Sequence, residues 1–184
     1  LAYSSIAHAG YVLVAIVVGN VSAISGLIFY SLAYAVMGTG AFGILTIKDA
    51  GRVPQTYEDL AGYGGRNPFQ ALIMTLFMFS LIGLPLTGGF IGKLQIFSAA
   101  LDDGWVWLTV IGILNSALSA YYYLRVVMCM YMREGALPEG TDLSRVSPGF
   151  ALSGLIGTAV AVLYLGVFPD KILELASSSI QALL

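Results

Sequence analysis

At 184 residues, with eight Lys/Arg and ten Asp/Glu, the chain is 10% charged and 58% hydrophobic. A soluble domain carries about 25% charge, so most of this chain is expected to be solvated by lipid or by other membrane protein. A net charge of −2 without basic runs argues against nucleic-acid binding, and a single cysteine (Cys129) and histidine (His8) argue against an internal disulfide, a cysteine metal cage or a zinc site.

Leu1 opens directly into apolar sequence, without the charged region and cleavage site of a signal peptide. The expectation is a piece of a longer protein. A bilayer core about 30 Å thick takes about 20 apolar residues in helix. Five stretches qualify, at about 2–19, 22–47, 69–101, 105–132 and 149–168. They are long and continuously apolar, whereas barrel strands alternate over about 10 residues. The fold class is therefore an all-α integral membrane protein with about five transmembrane helices in one domain.

The charges mark the loops. Lys48, Asp49, Arg52, Glu58, Asp59 and Arg66 fall in the loop 48–68, Asp102 and Asp103 between the third and fourth spans, and Arg133, Glu134, Glu139, Asp142 and Arg145 between the fourth and fifth. Asp170, Lys171 and Glu174 follow the fifth span, leaving only Lys93 and Arg125 inside spans. The side that carries the start of the first span also carries Lys48, Arg52, Arg66, Arg133 and Arg145, and the other side only Lys171. The positive-inside bias then places Leu1 at the cytoplasmic face and the C-terminus at the outer one.

Local signals fall between the spans. Thr56-Tyr57-Glu58-Asp59 resembles a capping box with Asp in the Glu position, predicting a short amphipathic helix that Gly62, Gly64 or Gly65 would stop. Asn67-Pro68 reads as N-cap and first residue of the third span. The tail from Asp170 to Leu184 is expected along the membrane interface.

The third span, about 33 residues, is too long for one straight crossing, and its middle reads Gly83-Leu84-Pro85-Leu86-Thr87-Gly88-Gly89. Pro85 removes a backbone donor and Gly88-Gly89 resist helix, so the span is expected to break near 83–89, at mid-membrane. Unpaired backbone at that depth costs several kcal/mol, so the break must face protein or a water-filled cavity. Such breaks recur in ion pathways. Lys93 comes eight residues after Pro85, about 12 Å further along a helix, with apolar sequence on both sides. An ammonium at mid-membrane costs roughly 2.5–3.5 kcal/mol, and desolvation eases proton release from an amine. A broken helix beside a buried lysine reads as a proton relay. The competing reading is a lysine that snorkels or pairs silently. No carboxylate in the sequence lies at its depth, so an acidic partner would come from outside this chain.

Arg125, with Tyr123 beside it, lies near a span end and reads as an interfacial or packing anchor. His8, preceded by Ser4 and Ser5, is a secondary proton-relay candidate, weighed against a packing role. Gly112, Asn115, Ser116 and Ser119 on the fourth span, and Tyr30, Tyr34 and Gly38 on the second, stand at helical spacing. Close packing is the first reading of both rows and a water file the second.

Three segments carry a family resemblance. Leu1-Ala-Tyr-Ser-Ser-Ile-Ala-His-Ala-Gly-Tyr11 resembles the segment that follows a Lys-Arg pair in the antiporter-like subunits of respiratory complex I. The run from Leu81 to Leu94 is similar to their broken helix, and Asn115 to Val127 resembles the subunit N branch, the counterpart of mitochondrial subunit 2. The sister subunit M typically has glutamate where this chain has Lys93. The resemblance implies a fourteen-helix fold of two inverted five-helix repeats, each with one broken helix, of which this chain would be the C-terminal part. It also implies a C-terminus on the outer face of a bacterial cytoplasmic membrane. Lys93 would match the lysine of the second broken helix, one of a row of charged groups along the membrane midplane.

The implied role is proton translocation by a subunit of NADH-quinone oxidoreductase, with no bond-making active site in this chain. NADH, FMN, iron-sulfur clusters and quinone would be handled by other subunits. The chain has no Gly-x-Gly-x-x-Gly turn in a βαβ setting to suggest a nucleotide site, and its expected partners are neighbouring membrane subunits and lipid. The first rival is a cation/proton antiporter subunit of the Mrp type. The second is a purely bridging membrane subunit. An intramembrane hydrolase lacks a nucleophile–base set.

Overall fold

The computed structural model describes residues 2–46, 56–133 and 149–182. Eight helices follow in order: α1 (Ser4–Val18), α2 (Val21–Thr46), α3 (Tyr63–Arg66), α4 (Pro68–Ile82), α5 (Gly88–Asp102), α6 (Val106–Met132), α7 (Gly149–Val167) and α8 (Asp170–Gln181). There is no strand among the described residues. Lys48, Asp49, Arg52, Glu134, Glu139, Asp142 and Arg145 lie outside the described residues.

α2 and α6 are long and apolar enough to cross a membrane, and α1 and α4 are shorter apolar helices. The stretch 152–167 of α7 meets α8 at a bend of 77°. Pro169 precedes α8 and Asp170 opens it, so the polar tail leaves the direction of α7 and turns against α2.

α2 is the centre of the bundle, packed by α1, α4, α5, α7 and α8. Its closest partner is α5. A Cβ added at Gly92 of α5 would come within 3.0 Å of the Tyr30 Cα, so the two backbones cross with no room for a side chain there. α6 closes the other side against α1, α4 and α5. α1 ends at Gly19 (φ 69°), whose amide donates to the Ala15 carbonyl. The Asn20 side chain then accepts from the Ala23 amide at 2.8 Å and opens α2.

The capping box closes, but not on an α-helix. The Thr56 amide and hydroxyl both donate to the Asp59 carboxylate at 2.8 Å, and the Asp59 amide donates back to Thr56 Oγ1 at 3.3 Å. Residues 57–62 make consecutive turns, and Gly62 (φ 68°) ends them. Gly64 and Gly65 lie inside α3 instead of stopping a helix. Gly64 is there because Tyr131 and the Met130 carbonyl of α6 press on its Cα. Pro68 takes the first position of α4, directly after Asn67.

Candidate functional site

The break lies where Pro85 and the paired glycines predict it. α4 and α5 have 15 residues each, about 22 Å at helical rise, and neither alone matches a bilayer core of about 30 Å. α4 stops at Gly83 (φ 92°), and the Gly83 and Leu84 amides both donate to the Phe79 carbonyl at 3.0 Å. Leu86 takes a positive φ of 71° without being glycine, a strained geometry of the kind found at functional sites. Thr87 is buried and donates to the Leu84 carbonyl at 2.7 Å, tying the turn shut. Leu84, Pro85 and Leu86 are exposed on this chain, whereas Thr87, Gly88 and Gly89 are buried.

α5 starts beside the end of α4 instead of continuing its axis. The Gly89 amide donates to Ser80 Oγ at 3.4 Å, and a Cβ at Gly89 would fall on the Ser80 carbonyl. A helix that ends leaves its last carbonyls without amide partners. In α4 these include Leu81 and Ile82, and Lys93 takes both. Its Nζ donates to the Leu81 carbonyl, the Ile82 carbonyl and Ser116 Oγ, each at 2.9 Å.

Lys93 is 5% exposed. Its ammonium therefore does not lie 12 Å beyond the break. α5 overlaps α4 sideways, and the long stem folds back to the α4 carbonyls. The negative end of a helix favours a cation, so α4 provides the partner that the sequence seemed to require from an outside carboxylate. The Tyr11 ring lies below the ammonium, 5.0 Å from Nζ to centroid, in cation–π range.

His8 is 2% exposed. Its Nδ1 pairs with the Tyr30 hydroxyl, and its Nε2 with the Tyr123 hydroxyl at 2.7 Å. Tyr34 stacks on the imidazole at 4.4 Å between centroids. A neutral imidazole has one N–H and one lone pair, so one tyrosine donates to His8 and the other accepts. Reversing that direction moves a proton across the ring. Tyr11 lies between the two centres, its ring edge-on to His8 at 5.8 Å and under Lys93 at the same time.

Other candidates are placed differently. Tyr123 is fully buried and belongs to the His8 centre. Arg125 is exposed on α6, its guanidinium 4.7 Å from the centroid of Tyr57 in the capping-box turn. Ser4 is buried and interacts with Tyr123, the partner of His8, whereas Ser5 is exposed and donates to the Ala2 carbonyl. Tyr30 sits at the close crossing with Gly92 and, like Tyr34, engages His8, whereas a Cβ at Gly38 would touch nothing among the described residues. On α6, Gly112 does pack closely, under Phe97, and Ser116 binds Lys93. The roles of Tyr11 and Ser116 are the ones sequence reading missed. The signal for Tyr11 is its place one helical turn after His8.

A family model described as NADH:quinone oxidoreductase/Mrp antiporter, transmembrane, matches residues 1–119. The chain is 46% identical over 181 residues to NADH-quinone oxidoreductase subunit N 1 of Solibacter usitatus, covering 97% of this chain and 37% of that protein. It is 46% identical over 182 residues to subunit N of Trichlorobacter lovleyi, covering 98% of this chain and again 37% of the relative. The chain thus spans a little over a third of the length of these relatives. Respiratory complex I from Thermus thermophilus with bound Aureothin contains a chain that superposes with a TM-score of 0.79 at 36% identity, over 95% of this chain and 38% of that one. A chain of the Mrp complex from Dietzia superposes with a TM-score of 0.74 at 22% identity, over 91% of this chain and 39% of that one, a likeness of fold alone.

Proposed function

Because the chain belongs to the NADH:quinone oxidoreductase/Mrp antiporter transmembrane family, we propose that it acts as part of a subunit N of bacterial NADH-quinone oxidoreductase. In this reading it is the C-terminal part of a fourteen-helix fold, and α4 and α5 together make one broken crossing. Leu1 is at the cytoplasmic face. Protons cross while NADH oxidation and quinone reduction, with their FMN and iron-sulfur clusters, take place in other subunits. The chain binds no cofactor and makes no bond.

The observation that carries the reading is Lys93, a buried amine held by the carbonyl end of a broken helix and by one serine. A protonated lysine has three donors and no acceptor, and a neutral one gains a lone pair. On deprotonation the Ser116 hydroxyl, which lies 3.4 Å from the Ile82 carbonyl, can turn and donate to Nζ. Lys93 and Ser116 thereby exchange donor and acceptor roles without moving backbone. His8, between Tyr30 and Tyr123, is a second relay in the same bundle.

The test is Lys93→Ala in the full complex, reconstituted in vesicles. Expected are reduced proton pumping and reduced coupled quinone reductase activity, with assembly kept. Normal pumping by a fully assembled variant would sink the proposal. The Mrp-type reading rests on likeness of fold, and genes for the remaining oxidoreductase subunits beside this one would decide against it.

A further inference from the structure

Arg125 is the one charged residue between Val106 and Met132, the bounds of α6. The helix has 27 residues, about 40 Å at helical rise, so about 5 Å extends beyond each side of a core about 30 Å thick. Arg125 comes seven residues before Met132, which puts its Cα about 5 Å inside that core. A long arginine stem carries its head group over such a distance to the interface. The guanidinium does reach out of the span, to 4.7 Å from the centroid of Tyr57, in the turns at 57–62.

Arg125 has no counter-charge among the described residues, where it forms no hydrogen bond and no ion pair. The Asp59 carboxylate, two residues after Tyr57, accepts twice from Thr56. Stacking on Tyr57 uses one face of the guanidinium plane. It leaves the N–H edge, a fork that matches two oxygens of a phosphate.

An apolar stripe descends from this fork. Tyr121, Leu118 and Leu114 stand one, two and three turns before Arg125 and are 72%, 71% and 58% exposed. Leu118 and Leu114 border a groove of about 440 Å³ between α1 and α6, walled also by Val14, Leu108 and Ile111. From Arg125 back to Leu114 is 11 residues, about 16 Å at helical rise, against about 15 Å for half the core. Phospholipid phosphates stand at the level of the fork in every bilayer, each at the head of chains that descend about that far.

We propose that Arg125, backed by Tyr57, binds one phospholipid of the leaflet at the Met132 end of α6. Two N–H groups hold the phosphate, and one acyl chain runs past Tyr121 and Leu118 into the α1–α6 groove. In the proposed orientation this is the cytoplasmic leaflet. The site rests on α6 crossing the membrane and on no part of the relay through Lys93.

The experiment is electron cryomicroscopy of the complete complex in nanodiscs of palmitoyl-oleoyl phosphatidylglycerol, for the parent, Arg125→Gln and Lys93→Ala. Expected in the parent is headgroup density within hydrogen-bond distance of Arg125, continuous with a chain along Tyr121 and Leu118. Arg125→Gln should lose it, and lipid retained there overturns the role of Arg125. The parent map decides even where Arg125→Gln fails to assemble. A side chain of a neighbouring subunit, or of residues 47–55 or 134–148, paired with Arg125 in place of lipid overturns the site. A second parent sample, in detergent with inorganic phosphate and no added lipid, separates the sources of the anion. Density on Arg125 in that sample, with no chain beside it in the nanodisc, marks a free-ion site and overturns the lipid. The lipid should persist in Lys93→Ala whatever its pumping rate, so failure of the relay leaves this site standing.

Discussion

A protonated lysine carries three N–H donors, and Lys93 meets three acceptors at 2.9 Å each. That match gives it a structural role besides the proposed relay, because its loss takes a donor from the Leu81 carbonyl and leaves the Ile82 carbonyl only the 3.4 Å contact from Ser116. Arginine separates the roles. It stays protonated at any physiological pH, and the groove of about 410 Å³ beside Lys93, between α5 and α6, leaves space for the larger head group. Lys93→Arg is expected to assemble like the parent complex and to pump as poorly as Lys93→Ala. Pumping restored by arginine would reduce Lys93 to a fixed cap. His8 poses the same question with a different geometry. His8→Gln keeps a donor and an acceptor for the two tyrosines but carries no titrating proton, so assembly should persist and the pumping rate fall. An unchanged rate would make His8 a packing residue.

The break between α4 and α5 holds because two backbones approach where no side chain fits. Gly89 lies against the Ser80 carbonyl, and Gly166 of α7 lies against the Leu86 carbonyl and Thr87 Cα. A methyl group at either position collides with backbone, which cannot move aside as a flexible side chain can. Gly89→Ala is expected to separate α5 from the end of α4, taking Lys93 Nζ off the Leu81 and Ile82 carbonyls. The measurement is the yield of assembled complex, which should drop sharply. Gly154→Ala serves as the control, since a Cβ there touches nothing within 4 Å. Equal yields for the two variants would show that the overlap of α4 and α5 is not required. Pro85 and Gly88-Gly89 made the break legible in the sequence, and the cost of an ammonium in lipid singled out Lys93. The sideways overlap was not legible, because it depends on Gly89 meeting Ser80. The His8–Tyr123 pair was hidden for a related reason: 115 residues separate them, and only the α1–α6 contact brings them together. Ser116 followed the same rule, standing in a row read first as packing until its neighbour Lys93 from another helix was known.

At the scale of the whole bundle, the orientation rests on which loops share an end. Gly64 of α3 packs against Tyr131 and Met130 near the end of α6, and Arg125 stacks over Tyr57. The segment 56–67 therefore lies at the Met132 end of α6, and Asp103 and Gly104 at its Val106 end. In the proposed orientation the first of these ends faces the cytoplasm, as the positive-inside bias of the loop charges predicts. This is measurable by thiol labelling, read against the parent complex as background; the one cysteine of this sequence, Cys129, is buried. Glu58 and Asp103 are exposed, so Glu58→Cys and Asp103→Cys each provide one reactive thiol at opposite ends. A membrane-impermeant maleimide should label Asp103→Cys from outside in right-side-out vesicles, and Glu58→Cys only in inverted ones. The reverse pattern would turn the bundle over and put the Lys93 side of the break toward the opposite compartment. Labelling of both from one side would overturn the proposed crossing pattern, in which one passage through α4 and α5 separates the two positions.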